Sequence, residues 1–171
     1  MPIDPPTLRG EHVILRPASP DDAEKFAAIA AMPEVWRRWG DAPEREFREE
    51  IAGDEVHLFA IEVDGQVAGM IQFAEETEPS YRSASIDIFL APQFHGRGIG
   101  PDAIRTLAHH LFEARHHHRI TIDPAADNES AIAAYRKVGF QPVGIMRRYE
   151  RIPADEWHDG LLMDLLREEL L

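Results

Sequence analysis

"FHGRGIGPDA", Phe94 to Ala103, places glycine at 96, 98 and 100, just before an apolar pattern with helical spacing. Glycine lets a backbone come close to a ligand and adopt dihedrals that a Cβ disfavours. The first N–H groups of a helix have no partner inside it and can bond phosphate oxygens. Pro101 suits a first helical turn, where its missing N–H costs little. The spacing G-x-G-x-G is not the dinucleotide fingerprint, G-x-G-x-x-G. Nor is it the triphosphate loop, because Gly100 is followed by Pro101 and Asp102 rather than by Lys and Ser or Thr. Arg97 puts a positive charge inside the loop, whereas Asp102 favours the helix but opposes a nearby anion. Taken alone, the loop fits an anion cradle and a plain strand-to-helix turn equally well.

The neighbouring segments supply a frame. "SASIDIFLAP" reads as a strand stopped by Pro92. From Pro101 the residues Ile104, Leu107, Ala108, Leu111 and Phe112 share one helical face. "RITID" is a short strand, and Asn128 to Val138 is a helix ended by Gly139. Upstream, "VHLFAIEVDGQVAGMIQFAEE" is a hairpin turning at Asp64-Gly65. Before it come a strand at Val13 to Pro17 and a helix capped by Ser19 or Asp21 and running to Met32. "EVWRRWG" and a charged helical piece from Glu44 to Ile51 follow. "FQPVGIMRRYE" and "DGLLMDLL" are closing strands. The order is that of an α/β protein in one piece, a single domain over residues 1–171.

Composition narrows the function. The chain of 171 residues has 44% hydrophobic residues, enough for one packed core. It has no cysteine, so thiol nucleophiles, disulfides and thiolate metal sites are excluded. The net charge of −13 and the lack of a basic stripe argue against nucleic acid, and the charge either favours cationic partners or only maintains solubility. No apolar run nears the roughly 20 residues of a membrane span. The start, MPIDPPTLRGEH, lacks a secretory pattern, so a cytoplasmic protein is expected. The histidines at 109, 110 and 116–118 invite a metal reading, but a solvated helix end is expected and no metal is assigned.

A second stretch decides between the readings of the loop. "NESAIAAYRKVGF", Asn128 to Phe140, follows one strand downstream. With Leu90, Pro92 and His95-x-x-Gly98-x-Gly100, it resembles the coenzyme A-binding core of the GNAT N-acetyltransferases. The family pattern is a strand ending in proline, Q/R-x-x-G-x-G/A, then N-x-x-A-x-x-x-Y-x-K-x-G-F. His95 departs from it, at a position that chiefly contributes main chain. The resemblance implies a mixed, mostly antiparallel central sheet flanked by helices, with a parallel pair splayed around acetyl-CoA. It implies that the backbone of Phe89 and Leu90 bonds the pantetheine arm. The loop from His95 and Gly96 through Arg97, Gly98, Ile99 and Gly100 would hold the pyrophosphate. Asn128 would contact the cofactor, and Tyr135 would lie near the thioester sulfur unless it merely packs as a core aromatic.

The implied reaction is direct acyl transfer to an amine, which needs a proton acceptor, a donor for the developing oxyanion and a donor for the departing thiolate. A strand N–H near Leu90 is the oxyanion candidate and Tyr135 the acid. Asp87 is the base candidate, a carboxylate in a strand otherwise rich in apolar residues, unless it is an ordinary edge or surface acid. Asp123 is a second acid near the cleft, unless it only caps the turn before Pro124. "IDPAADNESAIAAYRKVGF", "SIDIFLAP" and "VWRRWG" resemble aminoglycoside 6′-N-acetyltransferases, in which acids at Asp87 and Asp123 would contact substrate ammonium groups. Glu75, with Glu76 and Glu78, adds negative charge. Trp36 and Trp39 either line the acceptor cleft or pack on a helix face. The expected acceptor is thus a cationic small molecule, with an aminoglycoside as the expected case. Siderophore hydroxylysine acylation, peptide or protein N-terminal acetylation and a silent acetyl-CoA-binding module remain alternatives. The chain would be a monomer or a homodimer.

Overall fold

A computed structural model describes residues 5–152 and 155–171. Residues 1–4 of the expected 1–171 domain, and 153–154, lie outside the described residues. The chain runs β1 (Leu8–Arg9), β2 (Ile14–Pro17), α1 (Asp22–Ala30), α2 (Pro33–Trp39), α3 (Glu44–Ala52), β3 (Val56–Val63) and β4 (Gln66–Glu76). It continues with β5 (Ser83–Leu90), α4 (Ile99–Glu113), β6 (Arg119–Ile122), α5 (Glu129–Val138), β7 (Gln141–Glu150) and β8 (His158–Leu166). One sheet orders these strands β1-β2-β3-β4-β5-β6-β8-β7. All named pairs are antiparallel except β5 with β6.

Local chemistry explains the elements. Asp64 and Gly65 both have positive φ, 50° and 77°, which suits the tight turn joining β3 to β4. α4 buries Ile104, Leu107, Ala108, Leu111 and Phe112 as its spacing predicts, and also Ile99 and Ala103. The helix starts at Ile99 rather than at Pro101, so Pro101 sits inside its first turn. Asp21 stands at the N-terminus of α1 without a capping side-chain bond. Instead the buried Asp22 accepts from the Ser19 N–H at 2.8 Å and from Arg16 at 2.9 Å. The core gathers Phe26, Phe47, Phe59, Phe73, Phe112 and Phe140 about the sheet. Each such ring contributes about 1.5–3 kcal/mol through the apolar surface that it removes from water.

Two expectations need correction. Asp102 does not face the loop's anion site. Its carboxylate is buried and accepts the N–H groups of Glu11, His12 and Val13 at 3.0, 2.7 and 3.0 Å. It therefore ties α4 to the β1–β2 turn. The histidine run is also not wholly solvated: His117 is 1% exposed, and its Nε2 lies 2.6 Å from Glu75 Oε2. Among the described residues, no helix is long and apolar enough to cross a membrane.

Candidate active site

β5 and β6 pair only at Ala84–Ile120 and Ser85–Thr121. Past those pairs the ladder stops and the backbone of β5 loses its neighbour on that side. The other side stays bonded to β4, in register from Gly69–Leu90 to Glu76–Ser83. The Ala91 N–H donates to the Ala68 carbonyl at 2.8 Å. By strand alternation, Phe89 also faces β4, while Leu90 turns its N–H and C=O to the open side. The Leu90 carbonyl accepts from His95 Nε2 at 2.8 Å, so that nitrogen carries the hydrogen. Leu90 thus fits the expected contact with an extended ligand arm. Phe89, expected to share it, has its main chain committed to β4. What Phe89 offers the cleft is its largely buried ring, packed edge-on against Trp39 at 4.9 Å.

Two cavities of about 390 and 400 Å³ adjoin in this opening. Arg38, Trp39, Ile88, Asn128 and Tyr135 line both. The larger is walled by Phe89 and Leu90, by His95 and by Gly96, Gly98 and Gly100. Gly96 and Gly98 have φ of 70° and 76°, and a Cβ on either would meet nothing within 4 Å. The loop is therefore an open concave backbone at the N-terminus of the 15-residue α4. That is the donor set a pyrophosphate requires. Arg97 lies over the Phe94 ring, 5.3 Å from its centre. Asn128 caps α5, its Oδ1 accepting from Ala131 N–H at 3.4 Å and Ser130 Oγ at 3.2 Å. Its side-chain amide N–H groups are what it can offer a ligand. These residues fit coenzyme A.

The smaller cavity holds the acids. Asp87, Asp123 and Glu150 line it, with Tyr149 and Ile152. Asp87 is reached by water through the cleft, yet protein surrounds its carboxyl on most sides. That partial desolvation, then the charge of Asp123, pushes its pKa up to about 6, against a weak bond from Gln72 Nε2 at 3.5 Å. Desolvation, Asp123 and Asp87 raise Glu150 as well. Tyr135 is raised above the ordinary phenol range, first by burial and then by Asp87 and Asp123. It therefore holds its proton at neutral pH, at the wall shared by the two cavities.

Other expected site residues separate. Asp123 is no simple turn cap: its Oδ2 accepts from Tyr149 Oη at 2.6 Å. Trp39 lines both cavities, but Trp36 is exposed and donates from Nε1 to Asp41 at 2.8 Å. Glu75 lines neither cavity. It is gripped by the Arg115 guanidinium and by His117, and these partners hold its carboxyl down at about 2 against desolvation. A charge so matched has little left for a substrate. Sequence reading missed Arg38, Gln72, Tyr149 and Glu150. The "MRRYE" run lay inside an apparent strand, and nothing in its spacing marked it.

The family model described as the acetyltransferase (GNAT) domain matches residues 12–141. The chain belongs to the GNAT acetyltransferases: it is an N-acetyltransferase whose acetyl donor is acetyl-CoA, on an α/β sheet with one parallel pair. It is 27% identical over 139 residues to a spermidine N(1)-acetyltransferase of Escherichia coli, covering 77% of this chain and 74% of that protein. It is 31% identical over 134 residues to the N-alpha-acetyltransferase RimI of Mycobacterium tuberculosis, covering 77% and 80%. Mycobacterium smegmatis RimJ, solved in complex with CoA-disulfide, superposes with a TM-score of 0.75 at 27% identity, covering 96% of this chain and 87% of that one.

Proposed function

We propose that this enzyme acetylates a primary amine of a small polycation, in the form of an aminoglycoside 6′-amine or the terminal amine of a polyamine. The observation that carries the reading is the meeting of the two cavities at Tyr135, Ile88 and Asn128, with Asp87 on the acceptor side only. Bound acetyl-CoA supplies an activated acetyl thioester. The Leu90 N–H, on the open side of β5, is placed to take up charge on the acetyl oxygen. The acceptor nitrogen forms the new bond to the acetyl carbon and the carbon–sulfur bond breaks. Asp87, with its raised pKa, takes the proton released by the amine. Tyr135, held protonated by burial and by its acidic neighbours, donates its proton to the departing sulfur, and the proton taken up by Asp87 restores it. Asp87, Asp123 and Glu150 give the acceptor cavity negative potential, and the −13 net charge steers cations toward it.

N-terminal acetylation of a basic peptide is a second reading, favoured by the 31% identity to a relative named as an N-alpha-acetyltransferase. The discriminating experiment is acetyl-CoA-dependent thiol release with kanamycin, tobramycin, spermidine and a basic N-terminal peptide. Turnover on the first three above that on the peptide supports the small-polycation reading. Turnover on the peptide alone overturns it.

A further inference from the structure

β7 carries an irregularity that the acceptor cavity uses. Its pairing with β8 steps from Met146–Gly160 to Glu150–His158, four residues on β7 against two on β8. Arg148, in the middle, has a φ of +48°, a left-handed conformation that is uncommon for a residue with a side chain. The Asp159 carboxylate holds it there, accepting the Arg148 N–H at 2.8 Å. Gly160 makes room beside it, since a Cβ at 160 would lie 3.3 Å from the Tyr149 ring. Such bulges re-aim the side chains that follow them. Here those side chains are Tyr149 and Glu150, and both line the acceptor cavity. Tyr149 Oη donates to Asp123 at 2.6 Å. Among the described residues that line this cavity Arg38 is the one cation, and its guanidinium is 2.7 Å from Asp127.

We propose that this bulge is the acceptor-selecting element: Tyr149 fixes the Asp123 carboxylate and Glu150 adds a further one, selecting acceptors with a second ammonium beyond the amine acetylated. Asp159 is a positioning residue, acting through the bulge without touching the acceptor. The inference rests on the amine-acceptor reading above, but it makes its own demand. The preference for a dication over a monocation must reside in β7 and not in Asp87.

The probes are 1,4-diaminobutane and 1-aminobutane, compared by kcat/KM for acetyl transfer and by calorimetric binding to the full chain with CoA present. Glu150→Gln is expected to lower the diamine-to-monoamine ratio about tenfold, the effect of losing one partly screened charge contact. Tyr149→Phe frees Asp123 and should lower the same ratio. Asp159→Ala should lower it too, because the Arg148 N–H loses its acceptor. Asp159→Asn keeps an oxygen acceptor there and should restore the ratio. Melting temperatures accompany each variant, so a ratio that moves without Asn rescue, in step with lost stability, overturns the positioning role. Equal loss on both amines in Glu150→Gln overturns the selection role while leaving the acetyl-transfer reading intact. If the wild-type protein transfers to neither amine, the calorimetric ratio still decides. A diamine preference that falls in Glu150→Gln supports the bulge, and no preference overturns it.

Discussion

Gly69→Ala tests how the cofactor strand is held. Gly69 stands opposite Leu90, and a Cβ there would lie 2.1 Å from the Phe89 carbonyl oxygen and 2.9 Å from Leu90 Cα. Ordinary contact begins at 3.4 Å, and the crowded atoms are backbone, which cannot swing aside. β5 must therefore draw back from β4 by roughly 1 Å at Phe89 and Leu90. Overpacking of this kind costs about 1–3 kcal/mol. For a chain of this size that corresponds to a fall in Tm of about 3–10 °C. The same displacement moves the Leu90 N–H and C=O and shifts the acyl carrier relative to Asp87. A 1 Å misplacement costs up to about 100-fold in rate. Calorimetry gives the first number, and steady-state thiol release well below Tm gives the second. Gly144→Ala is the control, because a Cβ at 144 meets nothing within 4 Å. A Gly69→Ala protein with wild-type Tm and wild-type kcat/KM for acetyl-CoA would refute the reasoning, since the backbone contact would then be dispensable.

The remaining predictions concern charge and protons. Asp87→Asn should lower kcat by about 10²–10⁴ with acetyl-CoA binding kept, and the wild-type rise of kcat/KM with pH near 6 should vanish in the variant. Because the folded pKa of Asp87 lies above the ordinary 3.8, ionising it opposes folding, and that penalty develops as pH rises from about 4 through about 6. Asp87→Asn should therefore melt higher than wild type at pH 7 while being less active, and a lower Tm would contradict this. Tyr135→Phe should reduce kcat by about 10²–10⁴-fold while calorimetric binding of CoA persists; unchanged kcat removes its role as acid. Asp102→Ala should cost about 2–3 kcal/mol in urea unfolding by orphaning the Glu11, His12 and Val13 N–H groups, with kcat in the surviving folded protein near wild type.

The backbone of the fold was written locally. Glycines at 65, 96, 98 and 139 take positive φ, and no other residue type takes it so readily, so their turns follow from composition and spacing. The α4 face and the Asp64-Gly65 hairpin follow from periodicity and turn chemistry for the same reason. Asp87 and Tyr135 stood out because each sits in a dense motif, and the resemblance named both. What spacing does not carry is the partner of a charge across the sheet. Glu75 reads as one acid among several, yet Arg115, 40 residues away, pairs its charge and His117, 42 residues away, hydrogen-bonds it. Asp102 looks hostile to an anion until the chain returns Glu11 to Val13, about 90 residues away, to claim its oxygens. Trp36 and Trp39 look alike in sequence, and only packing against Phe89 puts one of them in the cleft. The sequence by itself determined a coenzyme A-binding core, because that core is built from short-range backbone geometry. Only the tertiary structure decided the acid-lined cavity, because Asp87 on β5, Asp123 in the loop after β6, and Tyr149 and Glu150 on β7 come from two strands and a loop that meet where β5 and β6 part.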